Sequence, residues 1–439
     1  MRGRKSSYAE RLEMAQRALT TATDAEVGEE LGWSQWTVRK WRRAFVANGT
    51  AALVSQMGAP QVGSLGRFPA VVRTTIDRMR RQNPGWGPKT ILSELHKDPL
   101  CADLRLPSRA SIAAYIKAYH TPRRHQRHTE LAQPRPVRST QPHEEWELDA
   151  QGALRLPGLG SVCVINIVDT LSRVIAVSLA VGPTRAPQTA DYQLACRLAF
   201  TEFGLPQRIT LDHDTCFIES TAPSPFPRRF HLWLVALGIA ARFIERPPPQ
   251  EHSQIERTHL TMMQQALLGD LPPTWNALNR HLDARRIFYN EDYPSAALGN
   301  RAPLQAYPQA RHSGRFYAPH READLLDLQR VANYLVPHTW YRPVSGSGQV
   351  WIHDARYNVG RQWTNHTLTI RFDAETWTFC FYAEDSALVA QLPAQNLTTA
   401  YLMGDVADWA DLPAYQLHLP LSAATTREAL IFTAVSGTT

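Results

Sequence analysis

The chain has 439 residues, 44% hydrophobic and 20% charged, with a formal net charge of +7; at roughly 150 residues per folding unit that is length for about three domains. No apolar run reaches the roughly 18 residues a membrane span needs, and the start Met1-Arg2-Gly3-Arg4-Lys5 leads into no apolar signal segment, so a soluble, cytoplasmic protein with no membrane partner is expected. Five cysteines, odd in number and without a Cys-x-x-Cys pair, argue against a disulfide framework or a structural zinc site.

The charge is uneven. Residues 1–145 hold 24 Lys and Arg against 13 Asp and Glu, an excess of +11, which leaves −4 for the rest of the chain. A polyanion is expected to dock on that basic stretch. Within residues 1–56, Asp24 is placed to cap a helix carrying Val27 and Leu31, Gly32 to end it, and Ser34 to cap a second helix with Val38, Trp41 and Phe45 inward. That is the pattern of a helix-turn-helix. Gln35, Thr37, Arg39, Lys40, Arg42 and Arg43 then line the outer face, as side chains suited to base edges and phosphates. The alternative is a solvated basic helix in an ordinary bundle.

A second helix-turn-helix is expected over residues 66–120. Val72, Ile76 and Met79 mark one helix, Pro84-Gly85-Trp86-Gly87-Pro88 a turn, and Ile91 and Leu95 the next helix. A last helix begins at Leu106-Pro107-Ser108, with Ile112, Ile116 and Tyr119 as its buried stripe and Arg109, Ser111 and Lys117 left for DNA. A purely structural three-helix spacer is the alternative. Residues 121–142 lose periodicity and mix prolines with Arg123, Arg124 and Arg127, an extended basic linker.

Three stretches then set a carboxylate beside an apolar run, where an uncompensated charge is costly: Trp146-Glu147-Leu148-Asp149, Ile209-Thr210-Leu211-Asp212 and Gln254-Ile255-Glu256-Arg257. Two read as strand ends and one as a helix start, so the acids are able to converge on one metal-binding edge. Hard cations such as Mg²⁺ take oxygen ligands, and two of them about 3.5–4 Å apart clamp the attacking and leaving oxygens of a phosphodiester. Glu147 competes with Asp149, Asp214 with Asp212, and Glu245 and Glu251 with Glu256. Farther on, Arg321 to Tyr334 is amphipathic. Trp340–Val344, Gln349–Ile352, Leu368–Phe372, Trp377–Tyr382 and Ala387–Leu392 read as short strands of a small antiparallel barrel spanning 320–397, with Trp351, Phe372, Trp377 and Phe381 in its core. Residues 398–439 have weak periodicity and form a tail without an assigned role.

These residues resemble the DDE transposase/integrase family. The likeness extends to the hairpin Val162–Asp169, Leu171-Ser172-Arg173 and Val174–Ala180; to Phe217 five residues after Asp212; to Pro249-Gln250 ahead of Glu256-Arg257; and to Phe288-Tyr289-Asn290-Glu291 followed by Arg301-Ala302-Pro303 and Tyr307. The family's Asn-Gly pairs are replaced by His213-Asp214 and His252-Ser253. The resemblance implies an RNase H-like α/β catalytic core over residues 143–310, Asp149, Asp212 and Glu256 as catalytic and metal-holding residues, and two Mg²⁺ or Mn²⁺ ions. It reads Asp169 as structural and the C-terminal barrel as SH3-like, and it makes the Pro-Gly-Trp-Gly segment similar to the second helix-turn-helix ahead of many insertion-sequence catalytic domains. It further implies double-stranded DNA partners (terminal inverted repeats and target), homo-oligomers on DNA, a nucleoid-associated, bacterial-type setting, and metal-dependent 3′-end cleavage with strand transfer. No P-loop occurs, so ATP energy, where used, comes from a separate ATPase partner. The alternatives are another RNase H-like nuclease and a catalytically inactive, transposase-derived DNA-binding regulator.

Overall fold

The computed structural model describes residues 6–20, 22–54, 63–120, 139–183, 186–219, 224–244 and 253–404. Arg123, Arg124, Arg127, Glu245, Glu251 and all but the start of the C-terminal tail lie outside the described residues. The chain divides into two units, Met1–Ala70 with Ala110–Tyr119, and Val71–Arg109 with His120–Thr439. The segment 66–120 is shared between them.

In the smaller unit α1 (Tyr8–Thr20), α2 (Asp24–Leu31) and α3 (Gln35–Asn48) pack around Met14, Val27 and Val38. The cap of α2 is Thr23, not Asp24. The Thr23 hydroxyl accepts the Glu26 N–H, and the Glu26 carboxylate accepts the Thr23 N–H at 2.8 Å, a reciprocal arrangement that satisfies two orphan donors. Asp24 is instead the first helical residue, and its carboxylate reaches across to α3. Gly32 ends α2 in the left-handed region and Ser34 caps α3, as the sequence implied. A Cβ on Gly28 would stand 2.6 Å from the Trp33 carbonyl oxygen, so glycine there permits the tight return between the two helices. Val38 is buried as expected, whereas Trp41 and Phe45 are half-buried.

Three further helices follow: α4 (Ala70–Gln82), α5 (Pro88–Lys97) and α6 (Arg109–Tyr119). The buried positions of α6 are Ile112 and Tyr115; Tyr119, expected inside, is exposed at the last position of the helix, its ring against that of Tyr115.

In the larger unit β1 (Glu145–Leu156), β2 (Gly160–Asp169), β3 (Ile175–Val181), β4 (Arg208–Leu211) and β5 (Ala240–Phe243) form one sheet in the order β3-β2-β1-β4-β5. The first three strands are antiparallel; β4 runs parallel to β1, and β5 to β4. Helices α7 (Thr189–Phe203) and α8 (Arg229–Ala236) lie on one face with Trp146, Leu148, Ile165, Phe200 and Trp233 in the core. Helices α9 (Ser253–Ala266) and α10 (Trp275–Glu291) cover the other through Val162, Val164, Met262, Leu278 and Leu282. Covered on both sides, β2 and β3 are continuous apolar runs rather than alternating ones.

The edge of this sheet is closed by side-chain amides. Asn290 of α10 accepts the Ile175 N–H and donates to the Ile175 carbonyl, both at 2.9 Å, and Asn279 does the same for Ala180 at 2.7 and 3.1 Å. Eleven residues of helix and five of strand each span about 16–17 Å, so the spacings match. A register shift opposite Ile167 and Val168 adds one residue to β3, which lets two positions an odd number apart both turn their backbone groups outward. The Tyr-Asn sequence thus blocks an edge that would otherwise pair with another strand.

Helices α4 and α5 dock on α9 and α10. The Trp86 indole donates to the Gln265 carbonyl at 3.0 Å, Arg285 lies over the Trp86 ring and pairs with Glu94 at 2.7 Å, and Lys89 donates to the Pro294 carbonyl at 2.9 Å. A Cβ on Gly85 would meet the Gln264 carbonyl oxygen at 2.0 Å. The Pro-Gly-Trp-Gly turn is therefore shaped by this contact.

Beyond α11 (Pro303–Ala306), the expected amphipathic helix is broken into α12 (Glu322–Leu325) and α13 (Leu328–Leu335). The strands β6 (Thr339–Pro343), β7 (Gln349–Ile352), β8 (Ala355–Asn358), β9 (Thr367–Asp373), β10 (Thr378–Tyr382) and β11 (Leu388–Pro393) form a four-stranded sheet, β11-β10-β9-β6, and a separate β7–β8 hairpin. Phe372, Phe379 and Phe381 are its core. Trp351, expected inside, is 49% exposed, because alternation along β7 sends Val350 and Ile352 inward; Arg356 on the paired strand lies over its ring. Short α14 (Thr399–Met403) returns to α7, where Gln193 donates to the Leu402 carbonyl at 2.8 Å. Beneath it Arg197 and Glu322 form a buried two-bond ion pair at 2.7 and 2.8 Å, with the Trp233 indole and Tyr317 hydroxyl also donating to Glu322.

Asn290→Asp is expected to destabilise the chain by about 2–3 kcal/mol, because aspartate cannot donate to the buried Ile175 carbonyl; denaturant melts showing wild-type stability would mean that carbonyl needs no donor. His231 is buried against Phe243 and Tyr334 with Nδ1 unpartnered, and burial first, then His338, pushes its pKa from 6.5 down to about 4. The unfolded chain thus binds the extra proton, so stability present above pH 6.5 falls toward pH 4, by about 3 kcal/mol for a shift of this size. In His231→Phe the stability lost between pH 6.5 and pH 4, read from denaturant melts, should be smaller by that amount; an unchanged loss would exclude His231 as its source.

Candidate active site

Parallel pairing of Glu145 with Arg208, Trp146 with Ile209 and Glu147 with Thr210 fixes the geometry of the site. Continued two residues, that register brings Asp212, one residue past the end of β4, beside Asp149. Trp146, Leu148, Ile209 and Leu211 point into the α7–α8 core, so Glu145, Glu147, Asp149 and Asp212 share the face that α9 covers.

The three acids of β1 meet different fates. Glu145 is neutralised by Arg242 at 2.8 Å. Glu147 is buried and accepts the Ile255 N–H at 2.8 Å, one of the orphan donors of the first turn of α9; burial outweighs that bond and raises its pKa to about 7. Asp149 keeps a half-exposed side chain, with Oδ1 accepting the Ala150 N–H at 2.8 Å and Oδ2 3.0 Å from His259 Nε2. Asp169 is buried elsewhere, accepting from Ser172 and from the His143 N–H, a turn-holding role.

Asp212 is partly buried. Burial raises its pKa, the Asp214 N–H at 3.0 Å opposes that, and the negative charges of Asp149 and Asp214 raise it further. Asp214 lies in the loop after β4, where its carboxylate accepts the Cys216 N–H at 2.8 Å. Phe217 then anchors the loop against Tyr192 and Phe230.

Glu256 is exposed in the first turn of α9. His259, three residues on, touches Asp149, so the first turn of α9 stands over the face of the sheet that carries the two aspartates. His259 and its neighbour Asn166 were missed by the sequence reading; the available signal was the position of His259 one turn beyond Glu256. Among the described residues no group of three His, Cys, Asp or Glu side chains stands close enough to hold a metal ion. The structure brings Asp149 and Asp212 together and leaves Glu256 at the rim.

On α3 the expected DNA-facing set divides. Gln35, Lys40 and Arg43 are exposed, whereas Arg39 and Arg42 are tied to Asp24 at 3.1 and 2.8 Å, and Thr37 Oγ1 is 2.9 Å from Ser34 Oγ. Trp36, 66% exposed with Arg39 over its ring, is an unforeseen member of that face. Arg109 and Lys117 are exposed; Ser111 is half-buried, its carbonyl accepting from Ser64. Among the described residues no helix is long and apolar enough to cross a membrane.

No family model matches the sequence. Among solved structures the chain is similar to the HTLV-2 integrase catalytic core domain in complex with magnesium, at 15% identity and TM-score 0.30 over 39% of this chain and 99% of that one. It is similar to the BIV integrase catalytic core domain, at 17% and 0.28 over 38% and 95%. A third likeness is to the simian T-cell lymphotropic virus intasome in complex with PP2A regulatory subunit B56 gamma, at 13% and 0.34 over 70% and 97%.

Proposed function

We propose that the chain is a DDE-type DNA transposase, a polynucleotidyl transferase that binds terminal repeats through its basic N-terminal helices and joins DNA 3′ ends to a target. The observation that carries this reading is the register that sets Asp212 beside Asp149, with Glu256 in the first turn of α9, the helix that covers that face. Paired carboxylates at two adjacent inner strands of a mixed sheet, with one raised in pKa by burial and by its neighbour, are a donor set that a divalent cation relieves.

Oxygen donors without nitrogen or sulfur suit Mg²⁺ or Mn²⁺. Asp149 and Asp212 would hold one ion, and Asp149 with Glu256 a second; when bound, such ions activate the attacking oxygen and stabilise the leaving one. The protein's own work is placement. Glu147 fixes the start of α9, Glu145 and Arg242 neutralise each other behind the site, and Asp214 shapes the loop that presents Asp212. Lys40, Arg43 and Gln35 are the free donors of α3 for phosphates and base edges. Arg39 and Arg42 chiefly hold α3 against α2 through Asp24. Homo-oligomers on DNA and a separate ATPase belong to the same reading.

Asp149→Asn should abolish strand transfer while leaving repeat affinity within about twofold, since on this reading the N-terminal helices make the specific contacts and a single half-exposed charge is screened by salt; transfer by this variant at the wild-type rate would sink the assignment. Asp212→Asn should be as severe, and Asp214→Asn should cost no more than about tenfold, or about 1.4 kcal/mol. The reverse ranking, with metal in excess, would move the second ligand to Asp214 and favour a different loop conformation.

For the full-length chain, Lys40→Ala and Arg43→Ala should each flatten the plot of log affinity against log salt by about 0.9. Arg42→Ala should lower the melting temperature more than it alters that slope. Equal slope changes at all three positions would show that the bond to Asp24 is given up on DNA.

A further inference from the structure

Asn166 lies opposite Asp149 in the β1–β2 ladder and is fully buried on the α9 face. Its Nδ2 stands 2.9 Å from His259 Nδ1, and His259 Nε2 stands 3.0 Å from Asp149 Oδ2. A neutral imidazole carries one N–H, and an amide nitrogen can only donate. Nδ1 must then accept from Asn166, which leaves the proton on Nε2, where it donates to the carboxylate. The reversed amide would turn a second acceptor toward the ring and set the bare Nε2 lone pair against Asp149. Asn166 Oδ1 makes no hydrogen bond, so the amide is committed to this single donation.

We propose that Asn166 and His259 form a positioning relay for Asp149. The relay locks the imidazole as the Nε2–H tautomer, and that N–H fixes the plane of the carboxylate. With Ala150 donating to Oδ1 and His259 to Oδ2, each oxygen keeps one lone pair for a cation. The inference rests on the reading of Asp149 as a metal ligand given above. Neither side chain touches the reacting phosphate; both act through Asp149. Partners of this kind behind a ligating carboxylate are worth about 10–100-fold in metal affinity.

Two measurements on the full-length protein test it. In protein labelled with ¹⁵N-histidine, long-range proton–nitrogen correlation should show His259 protonated at Nε2 and bare at Nδ1. In Asn166→Asp, nearly isosteric but without the amide donor, the pattern should change to a protonated Nδ1. Separately, Mn²⁺ binding is followed through the electron paramagnetic resonance signal of the free ion. His259→Leu and Asn166→Leu should weaken binding about tenfold, and His259→Gln, which restores an N–H donor, should recover most of the loss.

A wild-type His259 carrying its proton on Nδ1 overturns the relay. So does wild-type Mn²⁺ affinity in His259→Leu when Asp149→Asn has lost binding, an outcome that leaves the metal reading intact. Undiminished binding in Asp149→Asn overturns the metal reading itself, and the relay's purpose with it. Should His259→Leu melt below the assay temperature, Asn166→Leu supplies the affinity readout and Asn166→Asp the proton pattern; wild-type Mn²⁺ affinity in Asn166→Leu overturns the proposal.

Discussion

Alternation along β1 is the constraint on which the rest of the larger unit depends. With Trp146 and Leu148 committed to the α7–α8 core, Glu145, Glu147 and Asp149 must share the other face. Three carboxylates in succession beneath a helix are tolerable only if each is compensated. The compensation weakens along the strand, from the guanidinium of Arg242 on Glu145, through one backbone N–H on Glu147, to an imidazole and solvent on Asp149. The strand thereby delivers one under-neutralised carboxylate where β4 ends. A slip of one residue would bury the acids in the apolar core and expose the tryptophan, so the register is strongly specified.

Helix α9 is held from three directions, and this places Glu256 and His259. Glu147 takes an N–H of its first turn, Asn166 reaches His259 from β2, and the Trp86 indole holds Gln265 near its end from the side of α4 and α5. Neighbouring α10 is tied to the edge strand by Asn279 and Asn290, and to α7 around that edge by Arg286, which pairs with Glu202 at 2.7 Å. The support thus comes from one buried acid, three amides, an indole and a guanidinium, and of these Glu147 and Asn166 hold the first turns of α9 against β1 and β2.

What the sequence made legible was local. The end of β4 just before Asp212 and the Gly32 and Ser34 signals rest on periodicity or capping within a few positions, while the hairpin of β2 and β3 and Asp169 as a turn residue follow from the family resemblance. Thr23 and Asp24 are both good cap residues, and because Arg39 and Arg42 hold the Asp24 carboxylate, the cap falls to Thr23. Strand β8 is four residues long and carries no run to betray it, and without it Trp351 could not be assigned to the outer face. The roles of His259 and of the Pro-Gly-Trp-Gly turn depend on partners more than a hundred positions distant, Asp149 for one and Gln265 for the other. No periodicity encodes such pairings.

The long interval from Asp212 to Glu256 gains a meaning from the same long-range contacts. It spans 44 positions, and a long loop is cheap, since even a doubling costs only about 0.6 kcal/mol. The first part of this interval is packed against the C-terminal sheet. Phe226 is buried with its ring 4.7 Å from that of Trp340 and 5.9 Å from that of Phe379, Arg342 of β6 donates to the Ser224 carbonyl at 2.8 Å and pairs with Glu219, and Arg228 pairs with Asp354. This loop begins at Asp212 and ends in α8, so the C-terminal sheet grips the segment that carries the second aspartate. With Arg197 and Glu322 joining α7 to α12, and α14 returning to α7, the C-terminal strands are bound to the core by buried charge as well as by rings. Through Glu219 and Phe226 the C-terminal sheet thus reaches the loop that starts at Asp212.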